Sequence, residues 1–169
     1  IFPDSSLRKY YMDVSSDIFV GGNLQRVIIF YLGSGSNGKS VSIKLTELMF
    51  GGLSIKMNTN ILTGKKPNPG AAYADLARSG GGVRQIVFDE PDPGEMINAG
   101  ILKLLSGGDS YFTRDLFEKG KDSKEIQPMH HLRFVCNKLP GIRNMDRAAG
   151  NRCKILMFES EFCENPPET

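Results

Sequence analysis

Short apolar runs alternate along the chain with longer segments in which apolar residues recur at helical spacing. Four runs have the length of a buried strand: Val27–Leu32, Gln85–Phe88, Leu132–Cys136 and Lys154–Phe158. Ser54–Met57 is a shorter strand candidate. Continuous apolar runs of this kind are typical of strands covered on both faces in a parallel sheet. Because helical segments separate them, the pattern predicts an α/β fold with three layers and a mainly parallel central sheet.

Much of the remaining chain is predicted to form helices, and one segment is predicted to form an inserted β-hairpin. Predicted helices cover Pro3–Phe19, Lys39–Phe50, Ala72–Arg78 and Glu95–Leu105. The helix that begins at Lys39 has an apolar face formed by Val41, Leu45, Leu48 and Met49. Ser110–Phe117 and Lys124–Pro128 flank a polar stretch, Glu118–Ser123, which predicts a β-hairpin inserted into the α/β pattern.

Composition sets broad limits on the class of protein. The 169 residues are 40% apolar and 24% charged, as in an ordinary globular domain, and the net charge of +2 does not by itself indicate a nucleic-acid binder. Three cysteines at unrelated spacings favour a reducing, intracellular compartment over a disulfide or zinc framework. No apolar stretch is long enough to cross a membrane. From the start at Ile1 and the polar end we expect a piece of a larger protein, with residues 1–23 as a helical lead-in, 24–162 as the main domain and 163–169 as a tail.

The segment Gly33–Ser40 (GSGSNGKS) fits the pattern GxxxxGK[ST] of a phosphate-binding loop, and it lies between a predicted strand and a predicted helix. Its glycines let the backbone curl so that N–H groups face phosphate oxygens, and the helix adds its positive end. Lys39 is expected to reach the β- and γ-phosphates of ATP, and the Ser40 hydroxyl to bind Mg²⁺. The predicted nucleotide-binding residues are Gly33, Ser34, Gly35, Ser36, Asn37, Gly38, Lys39, Ser40 and Val41.

Asp89 and Glu90 come directly after the apolar run Gln85–Phe88. Buried strands often end in acids at the surface, so this pair alone is a weak signal. Following the phosphate loop at this distance, it fits the second half of the same site. Asp89 is expected to hold Mg²⁺, and Glu90 to polarise the attacking water.

Three further features each have two interpretations. Asn137 follows a core strand, where it either faces a ligand or begins the turn that ends at Pro140. Arg147 and Arg152 are either solvated or able to act on a neighbouring subunit's nucleotide. The hairpin lysines either grip the phosphates of single-stranded nucleic acid or belong to a solvated turn in which acids nearly cancel their charge; they are Lys119, Lys121 and Lys124.

Five ordered segments together resemble superfamily 3 helicases, of the kind fused to primases in poxviruses, other large cytoplasmic DNA viruses and many phages. The segments are Gly33–Ser40, Asp75–Pro91, Leu102–Phe117, His131–Ile142 and Asp146–Phe162. The most specific part is GGDxxxxR at Gly107–Arg114, followed by the turn NKxP at Asn137–Pro140. The resemblance extends over residues 24–162.

The resemblance implies an AAA+-type ATPase core that assembles as a hexameric ring and moves on single-stranded DNA, usually 3′ to 5′. It implies Walker A residues at Gly38, Lys39 and Ser40, Walker B residues at Asp89 and Glu90, and sensor 1 at Asn137. Lys103–Arg114 falls in the motif that leads into the DNA-contacting hairpin. Arg152 matches the arginine finger; because relatives often have an arginine pair there and this chain has Asn151 first, Arg147 is a second candidate.

Two other classes stay open: a small-kinase type of P-loop phosphotransferase, and an AAA+ ATPase or assembly module without helicase activity. A kinase would leave the GGDxxxxR segment and the hairpin without a role. A degenerate site is disfavoured because Lys39, Ser40, Asp89 and Glu90 are all present. A primase domain in the same full-length chain is the expected partner. If the chain is viral, its expected location is the genome-replication site in the host cytoplasm.

Overall fold

The computed structural model describes residues 1–64, 74–113 and 123–164. Strands in these ranges are β1 (Ile28–Leu32), β2 (Ser54–Met57), β3 (Gln85–Phe88), β4 (Met96–Asn98), β5 (Tyr111–Thr113), β6 (Lys124–Ile126), β7 (His131–Cys136), β8 (Gly141–Arg143) and β9 (Cys153–Met157). Helices in these ranges are α1 (Ser5–Val20), α2 (Lys39–Phe50), α3 (Asn60–Thr63), α4 (Ala74–Ala77), α5 (Ala99–Ser106) and α6 (Arg147–Arg152).

The central sheet has five strands in the order β2-β3-β7-β1-β9, and every neighbouring pair is parallel. β1 lies between β7 and β9, with Ile28 opposite Leu132 on one side and Cys153 on the other. β7 in turn separates β1 from β3. The strands that precede Gly33, Asp89 and Asn137 are therefore adjacent, and their C-terminal ends share one edge of the sheet. The predicted parallel sheet is confirmed.

Alternate side chains of the sheet enter two separate cores. Ile28 and Phe30 of β1 pack in a core that is covered by α3, α4, α5 and the β5–β6 pair. Ile29 and Tyr31 point to the opposite face, where the core includes side chains of α1 and α2. Burying each large apolar side chain contributes about 1.5–3 kcal/mol. Helices on both faces give the three layers predicted from the sequence.

The helix predicted at Glu95–Leu105 begins later than the apolar spacing indicates. α5 begins at Ala99 because the Asn98 side chain accepts a hydrogen bond from the Gly100 N–H and caps the helix. The residues before it, Met96–Asn98, pair in parallel with Gly141–Arg143 in a small second sheet. That sheet, α3 and α6 were not predicted, since each is too short to show a period.

The helix α2 is rotated relative to its predicted apolar face. Val41, Leu45, Leu48 and Met49 are 55–72% exposed, and the helix buries Lys39, Ser42, Ile43 and Thr46 instead. Residues three, four and seven positions after Lys39 lie on the same side of a helix as Lys39 itself. Because Lys39 must turn inward toward the phosphate loop, it brings this mostly polar set onto the sheet. Gln85 meets it there, donating from Nε2 to Thr46 Oγ1 at 3.0 Å.

The inserted hairpin is present as the antiparallel pair β5–β6, with Tyr111 opposite Ile126 and Thr113 opposite Lys124. Tyr111 and Ile126 anchor it in the core below the sheet. Lys119 and Lys121 lie outside the described residues. Within those residues, none of the helices is long and apolar enough to span a membrane.

Candidate active site

The predicted phosphate loop, the two acids and Asn137 meet around one cavity of about 740 Å³ at the C-terminal edge of the sheet. Ligands of open parallel sheets bind at this edge, where strand ends and helix starts converge. Its lining includes residues 35–41, Asp89, Glu90, Cys136 and Asn137. The structure thus brings these residues of the predicted site together, while Gly33 and Ser34 lie outside the lining, and the roles stay predictions.

The loop between β1 and α2 has the sharp backbone turns that a phosphate cradle needs. Gly35 has φ 116°, Ser36 has φ 44° and Gly38 has φ 91°, so three of its residues lie in the left-handed half of conformational space. Gly38 is the residue directly before α2, and the helix begins at Lys39. The first turn of α2 therefore opens on the cavity, where its unpaired N–H groups and positive dipole end favour an anion.

Lys39 is buried at 5% exposure beneath the loop. Its Nζ donates to the Gly33 carbonyl at 2.5 Å and to Asn37 Oδ1 at 3.1 Å. Burial lowers the pKa of Lys39, against weaker opposing effects of Cys136 and Glu90. Among the described residues no carboxylate lies within ion-pair distance of Nζ, so the charge is free to meet a phosphate. These features fit a nucleotide whose phosphates lie in this loop.

The C-terminal segment after β9 braces the phosphate loop, which the sequence did not predict. Asn37 is buried and donates from Nδ2 to the Phe158 carbonyl at 3.1 Å. The Phe162 N–H donates to the Ser36 carbonyl at 2.7 Å. Phe162 and Ile1 also line the cavity beside Gly38. No sequence signal marks these contacts, because the loop pattern leaves position 37 unspecified.

Ser40 and Asp89 are the oxygen donors that fit a magnesium ion. Both are exposed and line the cavity, and the Thr59 hydroxyl donates to the Asp89 carbonyl at 2.7 Å, which fixes the end of β3. Mg²⁺ is usually held by one or two protein ligands together with phosphates and water. In the ranges that the structure describes, no cluster of three or more His, Cys, Asp or Glu forms a metal site by itself. The donor set therefore fits a metal that arrives with the nucleotide.

Asn137 holds the Glu90 carboxylate. Its Nδ2 donates to Glu90 Oε2 at 3.1 Å, and its backbone N–H donates to Oε1 at 3.2 Å. The Lys138 N–H adds a third bond to Oε1 at 3.3 Å. Asn137 lies in the bend that follows β7 and also lines the cavity, and its role toward a ligand stays a prediction.

Cys136 is a member of the site that the sequence did not single out. Burial, and then the neighbouring Glu90 charge, raise the pKa of the Cys136 thiol to about 11, against a smaller opposite effect of Lys39. The thiol is therefore protonated at neutral pH and is not a nucleophile.

The two arginine candidates lie away from the cavity lining. Arg152 donates from Nη1 to the Lys103 carbonyl and to Ser106 Oγ, both at 3.0 Å, at the C-terminal end of α5 in its own chain. Arg147, at the start of α6, is exposed. A salt bridge of 2.8 Å between Lys103 and Asp146 also joins the two helices. Lys124 lies at the first position of β6, outside the lining of this cavity.

The topology and the phosphate loop define an α/β protein with a three-layer, P-loop NTPase-like fold. A solved structure with this fold is the apo form of the NrS-1 C-terminal region (305–718), which has a TM-score of 0.57 and 16% identity over 86% of this chain and 32% of that chain. At this level of identity the likeness concerns the fold alone. No protein-family model matches the chain.

Similar curated proteins come from large DNA viruses. A protein of frog virus 3 with the name "Putative helicase 022R" is 47% identical over 162 residues, which are 96% of this chain and 17% of that protein. A protein of African swine fever virus with the name "Putative primase" is 24% identical over 173 residues, covering 98% of this chain and 17% of that protein. The chain thus spans about a sixth of the length of these relatives.

Proposed function

We propose that this chain is the nucleotide-hydrolysing motor domain of a DNA helicase of superfamily 3. The observation that carries the proposal is the meeting of the buried Lys39 with Glu90 and Asn137 around one cavity. Lys39 provides charge for phosphates, and the Asn137–Glu90 pair provides a positioned carboxylate. The helicase name of the frog virus relative supports the same class.

The polar residues of the cavity divide the tasks of the proposed ATP hydrolysis among them. The loop N–H groups and Lys39 bind the phosphates, and Ser40 and Asp89 hold Mg²⁺, which supplies neutralising charge when bound. Glu90 accepts a hydrogen bond from the attacking water and polarises it. Asn137 keeps the Glu90 carboxylate in a fixed orientation.

Arg147 is the better candidate for the arginine that acts on a neighbouring subunit. Arg152 already bonds two acceptors of its own chain, whereas Arg147 is exposed on the adjacent helix. A residue that completes a neighbour's site requires an oligomer, and the resemblance indicates a hexameric ring. In such a ring every site consists of one chain's phosphate loop and the next chain's Arg147.

We propose that the domain moves along single-stranded DNA. The β5–β6 pair is anchored in the core by Tyr111 and Ile126, and Lys124 lies on its exposed strand. A ring concentrates one such basic hairpin from each subunit in a narrow pore, so a net charge of +2 per chain does not oppose DNA binding. The primase name of the swine fever virus relative supports a primase domain elsewhere in the full-length protein.

The test is ATP hydrolysis by the purified chain and by a longer form, with and without single-stranded DNA. We expect DNA to stimulate hydrolysis, and mass measurement to show a hexamer with a non-hydrolysable ATP analogue. A Glu90→Gln variant should bind ATP without turnover. If single-stranded DNA does not change the hydrolysis rate of an assembled ring, or if phosphate is transferred to a small acceptor, the alternative P-loop classes are favoured over the helicase.

A further inference from the structure

A second cavity, of about 260 Å³, lies at the opposite, N-terminal edge of the sheet. The last turns of α1, the loop that follows it, and the first residues of β1 and β7 form its walls. Asn23 fixes the loop by two hydrogen bonds to the backbone of Val27, at 2.6 Å and 3.0 Å. The cavity is therefore a formed feature of the fold, separate from the phosphate loop.

Arg133 enters this cavity as a buried charge without a counter-ion. It is 1% exposed, and within the described residues no carboxylate lies in ion-pair range of its guanidinium. Its terminal nitrogens donate to the carbonyls of Leu132 at 3.2 Å and Val14 at 2.6 Å, its side chain also contacts the uncharged Tyr31 hydroxyl, and Nε has no partner. A buried charge is strongly unfavourable unless an opposite charge compensates it.

The neighbours of Arg133 in this cavity do not pair with its charge. His131 lines the same cavity, is 7% exposed, and has no partner at Nε2. Burial first, and then the nearby Arg133 and His130, lower its pKa to about 4 against an opposing hydrogen bond with the Asp17 backbone, so the imidazole is neutral at neutral pH. The one acid in the lining, Asp17, accepts a hydrogen bond from Gln25 at 3.2 Å and forms no ion pair with Arg133.

We propose that this cavity is a binding site for a small oxyanion, a phosphate or a carboxylate, held by Arg133. An oxyanion supplies the missing counter-charge and accepts from the unpaired Nε–H, and charge-assisted bonds of this kind are among the strongest in proteins. The apolar walls, which include Val14, Val27 and Ile29, shield the pair from water. The size of the cavity admits inorganic phosphate or a short carboxylic acid.

The experiment is calorimetric titration of the chain with inorganic phosphate, sulfate and acetate. A Lys39→Ala background removes the lysine of the phosphate loop, so that binding there does not mask the second site. We expect one saturable site, and at least a tenfold higher Kd after Arg133→Met. Arg143→Met, which removes an exposed arginine on β8, should leave the Kd unchanged. The preference between phosphate and acetate identifies the source of the oxyanion.

A second variant protects the test against misfolding of the Arg133 substitution. Val27→Phe fills the cavity from the β1 side and leaves every charge in place, and it should abolish the same titration. Absence of any saturable oxyanion binding in the Lys39→Ala chain overturns the proposal. So does a Kd that is unaffected by both Arg133→Met and Val27→Phe.

Discussion

Asn137 holds both oxygens of the Glu90 carboxylate, from its side-chain amide at 3.1 Å and its backbone N–H at 3.2 Å. β7 and β3 are adjacent parallel strands, so Asn137 and Glu90, which follow them, are neighbours although they are 47 positions apart in the sequence. Substitutions of Glu90 and of Asn137 therefore test this pairing.

Glu90→Gln should lower the rate of ATP hydrolysis by about 10²–10⁴-fold, the usual contribution of a general base. Nucleotide binding, measured with a fluorescent analogue, should persist.

Asn137→Ala should also reduce turnover, by about 100-fold, because the Glu90 carboxylate loses its orientation. The fold and the affinity for nucleotide should be preserved, since Asn137 is exposed. Steady-state hydrolysis and nucleotide titration separate the two quantities. Unchanged turnover would show that the amide only begins the turn.

Lys39→Ala should weaken ATP binding by about tenfold to a hundredfold, which corresponds to the loss of one charge-assisted interaction with phosphate. Lys44→Ala is the matched control on the same helix, since Lys44 is exposed and bonds only weakly to Glu47 at 3.9 Å. Equal affinities of the two variants in a calorimetric titration would contradict the assignment of the loop.

Arg147→Ala and Arg152→Ala should differ in kind. Arg147→Ala is expected to lower hydrolysis in the assembled oligomer by about 10³-fold with normal stability, as for an arginine acting on a neighbour's nucleotide. Arg152→Ala should lower the free energy of unfolding by about 1–3 kcal/mol, because two buried acceptors at the end of α5 lose their donor. Denaturant titration and ATPase assays on both variants test this, and the reverse pattern would make Arg152 the trans-acting residue.

Rotation of α2 predicts unequal effects of two similar substitutions. Ile43→Ala should destabilise the monomer by about 2–4 kcal/mol, since Ile43 is 4% exposed in the core. Leu45→Ala should change the free energy of unfolding by less than about 0.5 kcal/mol, since Leu45 is 55% exposed. Chemical denaturation of both variants provides the comparison, and a larger effect at Leu45 would restore the face predicted from spacing.

Stability should fall as the pH is lowered from 6.5 toward 4. Burial lowers the pKa of both His130 and His131 to about 4, whereas an unfolded histidine titrates near 6.5. Between these values the unfolded chain binds more protons, so acid favours unfolding, by about 2 kcal/mol per imidazole between pH 8 and pH 5. Denaturation midpoints across this range measure the effect. His130→Gln, which can still donate to the Leu105 carbonyl, should reduce the pH dependence and serves as the control.

The residue pattern alone was sufficient to place those parts of the site that are formed by short, continuous segments of the sequence. Strand, loop and helix around Lys39 form a local unit, and the run before Asp89 is apolar on both faces, so both could be placed from sequence. The rotation of α2 could not be predicted, because the spacing of its residues is compatible with burying either of two faces. The buried position of Lys39 determines which of the two packs on the sheet. The own-chain bonds of Arg152 could not be foreseen for a related reason, since its acceptors on α5 are 46 and 49 positions away, and its role stays a prediction. The bracing of Asn37 by Phe158 depends on a contact across 121 positions.

β7 is hydrogen-bonded to β1 along one side and to β3 along the other. It begins a few residues after the hairpin strand β6 and ends directly before Asn137, which bonds Glu90. A strand that is hydrogen-bonded on both sides does not shift by itself, so the two ends of β7 move together with the whole sheet. In the proposed ring, conformational change would therefore occur at the contacts between neighbouring chains, while each domain moves as a rigid body.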